Sequence, residues 1–320
     1  MLVPPQNGVH EISHLYLKAI TAADKLIYIE NQYFTSEAIY NTLVERMRAH
    51  DRSRLQIIMI LPKRPEAFLE EIAMGFVQAK MLRALADIAY ETGHAFGVYY
   101  AATIGEDGKE TPTYIHSKLL LVDDRFLTVG SANATNRSMG VDTELNVSWE
   151  ASSYRQWNLI RTIRHTRMSL LAEHSGVMLQ REKCDLGRIR GLVDYLNRLA
   201  TSSYSRLHYH PMNTSFDESE WLRDLKPKNL ALDPKRPLFA EEPDKQNFSY
   251  FLRFAKKILF LSSTPNAPSA VFLTQERLDL FTKALVNLQT LGDLYHIRLS
   301  GRLPWSLVLA GALLATLLWW

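Results

Sequence analysis

Apolar residues in the first half of the chain recur with two alternating periods. Ile12, Leu15, Tyr16, Ala19, Ile20 and Ala23 are spaced three and four apart and predict an amphipathic helix, and the continuous run KLIYIE (25–30) predicts a short buried strand. The unit then repeats. Ser36 is placed to cap a helix reaching Arg48, and LQIIMIL (55–61) reads as a strand that Pro62 stops. A long helix over 66–92 ends at Gly93, and the strand AFGVYYA (95–101) leads into the polar loop TIGEDGKETP (103–112). Three more strands, 113–122, 126–131 and 143–149, have short connections, and a helix over 155–174 offers Leu159, Ile163, Leu170 and Leu171 for packing. Helix–strand units followed by adjacent strands predict an α/β fold with a mixed sheet flanked by helices. No internal repeat is visible.

The second half has a different pattern. Residues 201–247 are rich in Ser, Asn, Asp and Pro and read as an irregular connection. FSYFLRFAKKILFLSS (248–263) is an apolar helix carrying Arg253, Lys256 and Lys257, suited either to a bilayer interface or to an ordinary core. From Trp305 to Trp320 there is no charge, Arg298 and Arg302 stand just before, and Trp residues mark both ends, as in a membrane segment. Its sixteen residues reach roughly 24 Å as a helix against a hydrocarbon core of about 30 Å, so spanning would recruit Leu303, Pro304 and local thinning. A buried terminal helix is the alternative. The N-terminal stretch has no apolar run behind basic residues; no signal peptide is expected, and the chain is expected to begin in the cytosol.

Composition narrows the chemistry. A chain of 320 residues with 47% hydrophobic residues can bury a substantial core. A formal net charge of +3, with Lys and Arg dispersed, does not point to nucleic acid. The single cysteine, Cys184, excludes an internal disulfide framework and a thiolate metal cluster. HYH (208–210) sets two imidazoles on one side of a strand without a third ligand at a suggestive spacing. Arg155, Arg161, Arg164 and Arg167 give one helix a basic character that suits anionic headgroups or a solvated face.

YIHSKLLLVDD (114–124) poses the sharpest question, because a buried run contains a His and a Lys. On a strand, His116 and Lys118 share a face, and a buried ammonium requires either water or an anion such as phosphate. An edge strand with a solvated polar face is the bland alternative. The next strand brings Ser131 and Asn133, two apart, and ELNVSW places Glu144 on a polar face with Asn146 and Ser148. A carboxylate bonded to one imidazole nitrogen leaves the other free to attack or to donate a proton.

His116-x-Lys118-x4-Asp123, followed by Gly130-Ser131-x-Asn133 and Glu144, resembles the HKD motif of the phospholipase D superfamily. IYIENQYFTS (27–36) resembles the opening of the C-terminal half of those enzymes, and NRSMGVDTE is closer to their phospholipid-acting branch than to the nuclease branch; the similarity covers roughly residues 10–177. The resemblance implies a phospholipase D-like mixed β-sheet and a two-step, metal-independent phosphodiester exchange through a phosphohistidine, with no cofactor. It implies that His116 is nucleophile or general acid, that Lys118, Ser131 and Asn133 hold phosphate oxygens, and that Glu144 orients His116. Asp123, just past the strand, suits a structural turn or an ion pair.

No other His is followed by Lys two residues later, so half of such a site is missing. A homodimer pairing two motifs and an incomplete protein remain equally open. The expected organisation is a catalytic half-domain over 1–177, an irregular extension over 178–247, a helical region over 248–302 suited to a membrane interface, and a transmembrane or tail-anchor segment over 303–320. The expected partners are a phospholipid substrate, a membrane and a second copy. The expected place is the bacterial inner membrane with the catalytic part cytoplasmic. Cardiolipin synthesis, nucleic-acid cleavage and an inactive phosphate-binding half-site are the alternatives.

Overall fold

The computed structural model describes residues 9–65, 74–178, 184–212 and 233. The chain divides into one compact unit of Met1–Pro227 with Leu232–Pro237 and a second of Lys228–Ala231 with Leu238–Trp320. The second lies wholly outside the described residues, and with it the expected interfacial helix and the apolar segment 303–320. Among the described residues no helix is long and apolar enough to cross a membrane.

Helix α1 (Glu11–Ala22) leads into β1 (Leu26–Glu30), α2 (Glu37–Arg48) into β2 (Gln56–Ile60), and α3 (Phe76–Thr92) into β3 (Ala95–Ile104). Ser36 caps α2 by accepting the Ile39 N–H, and Gly93, in the left-handed region, ends α3. The strands β1, β2 and β3 run parallel. On the other side of β1 come β5 (Leu119–Val122), β6 (Phe126–Gly130) and β7 (Asn146–Glu150), all antiparallel to their neighbours. Strand order is β4-β3-β2-β1-β5-β6-β7, with β4 (Glu110–Pro112) and β8 (Leu207–Tyr209) both paired to β3.

The pleat separates two cores. Ile27, Ile29, Ile57, Met59, Leu120 and Val122 pack under α1, α2 and α3. The short α4 (Asn136–Gly140) connects β6 to β7, and Leu26, Tyr28, Ile58, Ile60, Leu119 and Leu121 pack against α5 (Trp157–Ser175) and α6 (Leu192–Ala200). Such layering is the mixed α/β architecture expected from the pattern.

Four expectations are corrected. The strand expected over 113–122 forms its ladder only from Leu119, because β1 ends at Glu30, the partner of Leu119, and leaves the preceding residues without a neighbour there. The polar loop 103–112 is instead a hairpin: β3 extends to Ile104, residues 110–112 fold back on it, and Gly108 takes the left-handed turn position. The extension from 178 is not irregular throughout. Leu192, Val193, Leu196 and Leu199 make a helical stripe buried against the sheet, and β8 adds a strand. Finally, Arg167 does not share the basic face of Arg155, Arg161 and Arg164; it is fully buried.

Candidate functional site

The ends of four strands meet at one edge of the sheet. β1 delivers Glu30, Asn31 and Gln32; the segment before β5 delivers His116, Ser117 and Lys118; β6 ends just before Ser131 and Asn133; β7 begins just after Glu144. This is the carboxyl end of the parallel strands, where β1 separates a parallel from an antiparallel neighbour, the place at which open α/β sheets leave a crevice. The two loops are stitched together by Asn31, whose Oδ1 accepts the N–H groups of Ala134 at 3.1 Å and Tyr33 at 3.3 Å. Gly130 is needed for the approach of β6 to β7, since a Cβ there would run into the Leu145 carbonyl and the Asn146 side chain.

Lys118 is 6% exposed. Its ammonium donates to the Gln32 Oε1 at 3.0 Å and to the His116 carbonyl at 2.5 Å, both neutral acceptors. Among the described residues no carboxylate reaches it within ion-pair distance. Burial pulls its pKa below the ordinary value, while the Glu144 carboxylate acts in the opposite direction. Gln32 in turn donates to the hydroxyls of Tyr114 at 2.6 Å and Tyr33 at 3.0 Å. The His116 ring is exposed, stacks on Tyr114 with centroids 6.0 Å apart, and makes no hydrogen bond among the described residues.

Ser131 donates to Glu144 and accepts the Leu145 N–H at 3.0 Å. The expected bond from Glu144 to His116 is therefore replaced: the carboxylate precedes β7 and is taken by the hydroxyl beside it. The Asn133 Oδ1 is buried without a partner among the described residues. Asp123 lies at the far end of β5, at φ 55°, and accepts the backbone N–H groups of Asp24, Lys25 and Leu26 at 2.7 Å each. The HYH pair is not a free metal site: the His210 Nδ1 accepts the Met212 N–H and its Nε2 faces the Pro62 carbonyl, both at 3.1 Å. Among the described residues no group of three or more His, Cys, Asp or Glu is placed to hold a metal ion.

The sequence reading missed Gln32, Glu30 and His174. Glu30 and Gln32 were signalled by polar residues closing an otherwise continuous apolar strand. His174, at the end of α5, has no local signal, because its partner Glu30 is 144 residues away.

The mixed sheet thus brings a buried lysine with two neutral acceptors beside an exposed histidine. Residues 16–161, a little under half of the chain, match the family described as "Cardiolipin synthase, PLD-like domain". Among curated relatives, "Phospholipase D zeta 2" of Arabidopsis thaliana is 26% identical over 54% of this chain and 20% of its own length. "Cardiolipin synthase" of Listeria monocytogenes is 28% identical over 44% of this chain and 25% of its own length. The chain thus spans about a fifth to a quarter of the curated relatives it matches. A crystal structure of a phospholipase D family member, Nuc from Salmonella typhimurium, matches with TM-score 0.33 and 17% identity over 50% of this chain and 88% of that one.

Proposed function

We propose that this site is one half of a phosphodiester-cleaving centre acting on phospholipid headgroups, with His116 as nucleophile or general acid. The observation that carries the reading is Lys118: a buried ammonium held by two neutral acceptors keeps its charge for an anion, and a phosphodiester oxygen supplies one. Ser131 and Asn133 lie in the same loop, and the hydroxyl of one and the amide nitrogen of the other are the donors that would complete the phosphate cradle. In the reaction a histidine nitrogen bonds to phosphorus as the P–O bond to the leaving alcohol breaks, and a second histidine gives that oxygen its proton. Water or another alcohol then attacks phosphorus, displaces the histidine and yields its proton to the second imidazole. The single motif requires that second histidine from elsewhere.

A second copy of the chain is the proposed source. Val129, Leu145, Val147 and Trp149 are exposed on β6, on β7 and just before β7, which closes the sheet as an edge beside Ser131 and Glu144. An apolar edge strand next to an incomplete site is suited to an isologous contact. The phospholipid substrate is supported by the names of the relatives, and the cardiolipin synthases among them favour a second reading in which the acceptor is a lipid alcohol rather than water.

The test is release of phosphatidic acid from phosphatidylcholine and phosphatidylethanolamine vesicles by the purified chain in EDTA, with His116→Ala alongside and the mass measured in detergent. Turnover by a dimer, abolished by His116→Ala, is expected. A folded monomer without turnover on any lipid diester would overturn the two-copy reading. Turnover that needs phosphatidylglycerol and yields cardiolipin would select the synthase-like reaction.

A further inference from the structure

His116 and Lys118 sit in a segment, 113–118, that belongs to no strand. Backbone bonds tie its two ends, Thr113 to the Ala101 carbonyl and the Lys118 carbonyl to the Gly130 N–H, Gln32 bonds the Tyr114 and Lys118 side chains, and the residue between His116 and Lys118 adds a buried anchor. The Ser117 hydroxyl donates to the Oε1 of Glu30, the last residue of β1. The other oxygen of Glu30 accepts the Tyr28 hydroxyl at 2.6 Å and faces the Nε2 of His174 at 2.9 Å. Glu30 is 4% exposed, so three donors from β1, from the segment before β5 and from α5 converge on one carboxylate withdrawn from water.

We propose that Glu30, braced by Tyr28 and His174, is a positioning residue that acts through Ser117 to set the placement of His116 and Lys118. The proposal rests on the reading that these two residues do the chemistry. Burial alone would push the Glu30 carboxyl upward, but the hydrogen bond and charge of His174, with the bonds from Ser117 and Tyr28, hold it below its ordinary value. An ionised carboxylate only accepts, so Ser117, Tyr28 and His174 all present hydrogens to it. Burial pushes the Tyr28 phenol well upward and keeps it a donor; Arg167 and Glu173 are the further charges it feels.

The arrangement is not a second nucleophilic centre. A serine nucleophile needs the imidazole between hydroxyl and acid, whereas here Ser117 and His174 each bond the acid and not one another. Its geometry serves to hold. α5 also carries Arg167, which grips Asp124 just past the opposite end of β5, so the helix that bonds Glu30 at the end of β1 also anchors the turn after β5.

The experiment uses the full chain with Ser117→Ala, Ser117→Thr, Glu30→Gln and His174→Gln. Two readouts are taken: kcat and KM on phosphatidylcholine vesicles, and the ring C–H resonances of His116, assigned with His116→Ala, followed from pH 5 to 9. Ser117→Ala is expected to lower kcat roughly 10- to 100-fold with KM within about twofold, as a small displacement of a reacting group does. It should also shift the His116 resonances, and Ser117→Thr should restore both. Unchanged kcat and unchanged His116 resonances in Ser117→Ala, with a lower Tm alone, would overturn the proposal. Should Glu30→Gln not fold, Ser117→Ala and Ser117→Thr still decide. If the wild-type chain cleaves no diester, the functional reading fails, and the resonances alone still test whether Glu30 sets His116 through Ser117.

Discussion

Arg167 and Asp124 form a bidentate ion pair removed from water, with Nε to Oδ1 at 2.7 Å and Nη2 to Oδ2 at 2.9 Å. The remaining Arg167 nitrogen donates to the Leu186 carbonyl at 2.7 Å, so the guanidinium is anchored on three sides. Removing one partner strands the other charge in the core. Arg167→Ala is expected to cost about 3–5 kcal/mol in urea unfolding. The double variant Arg167→Met with Asp124→Asn should recover most of that loss, since no unpaired charge remains and Asn tolerates the φ of 56° at position 124. A double variant as unstable as the single one would contradict the account.

Acid sensitivity is expected from His210. Burial pushes its ring down to about 4, and both nitrogens are engaged by backbone groups. The unfolded ring titrates near its ordinary value of about 6.5, so the unfolded chain takes the proton first. Stability from this group is thus complete above about pH 6.5 and is lost as pH falls towards 4, an amount on the order of 3 kcal/mol. Thermal unfolding across pH 4–7 should show the slope, and His210→Asn should reduce it. It should not abolish it, because burial also lowers His94, whose Nδ1 accepts the Leu55 N–H at 2.9 Å.

Asp123 separates motif membership from chemistry. Its carboxylate gathers three backbone N–H groups at the far end of β5 from His116. Asp123→Ala should cost about 2 kcal/mol or more, from charge-assisted bonds and a left-handed backbone lost together, while kcat measured well below the unfolding temperature stays unchanged. Asp123→Asn, which keeps an acceptor and tolerates the backbone, should be milder on stability. A loss of kcat without a loss of stability would place Asp123 in the reaction instead.

How far the sequence could be read depended on the range of each interaction. Helices α1 and α2 and strands β1, β2 and β3 follow from local periodicity, because each buries one face or a whole run. The sequence reading gathered His116, Lys118, Ser131, Asn133 and Glu144, and the fold brings their segments to one end of the sheet. The basis for placing His116 beside Lys118 was different from the real one: the pleat was expected to pair them, but they precede the ladder and the bond from Ser117 to Glu30 holds the segment. What stayed hidden was non-local. The pairings of His174 with Glu30 and Arg167 with Asp124 join residues far apart in sequence, and β8 and the hairpin strand β4 are short additions to β3 whose partner no local pattern identifies.

Gln32 supplies the sharpest test of the lysine. Its Oε1 accepts from Lys118 and its amide nitrogen donates to Tyr114 and Tyr33, so it orients the ammonium without neutralising it. Gln32→Glu would convert that neutral contact into an ion pair. The pair would compete with a phosphate oxygen, and an anionic substrate analogue such as vanadate should bind at least tenfold more weakly, or about 1.4 kcal/mol. Gln32→Leu removes the acceptor and leaves the ammonium mobile; there kcat should fall while vanadate affinity changes less. Titration calorimetry with vanadate and vesicle kinetics on both variants distinguish charge from placement. Equal losses of affinity in the two variants would show that the neutrality of the Lys118 contact is of no consequence and that the cation is not reserved for a phosphate ligand.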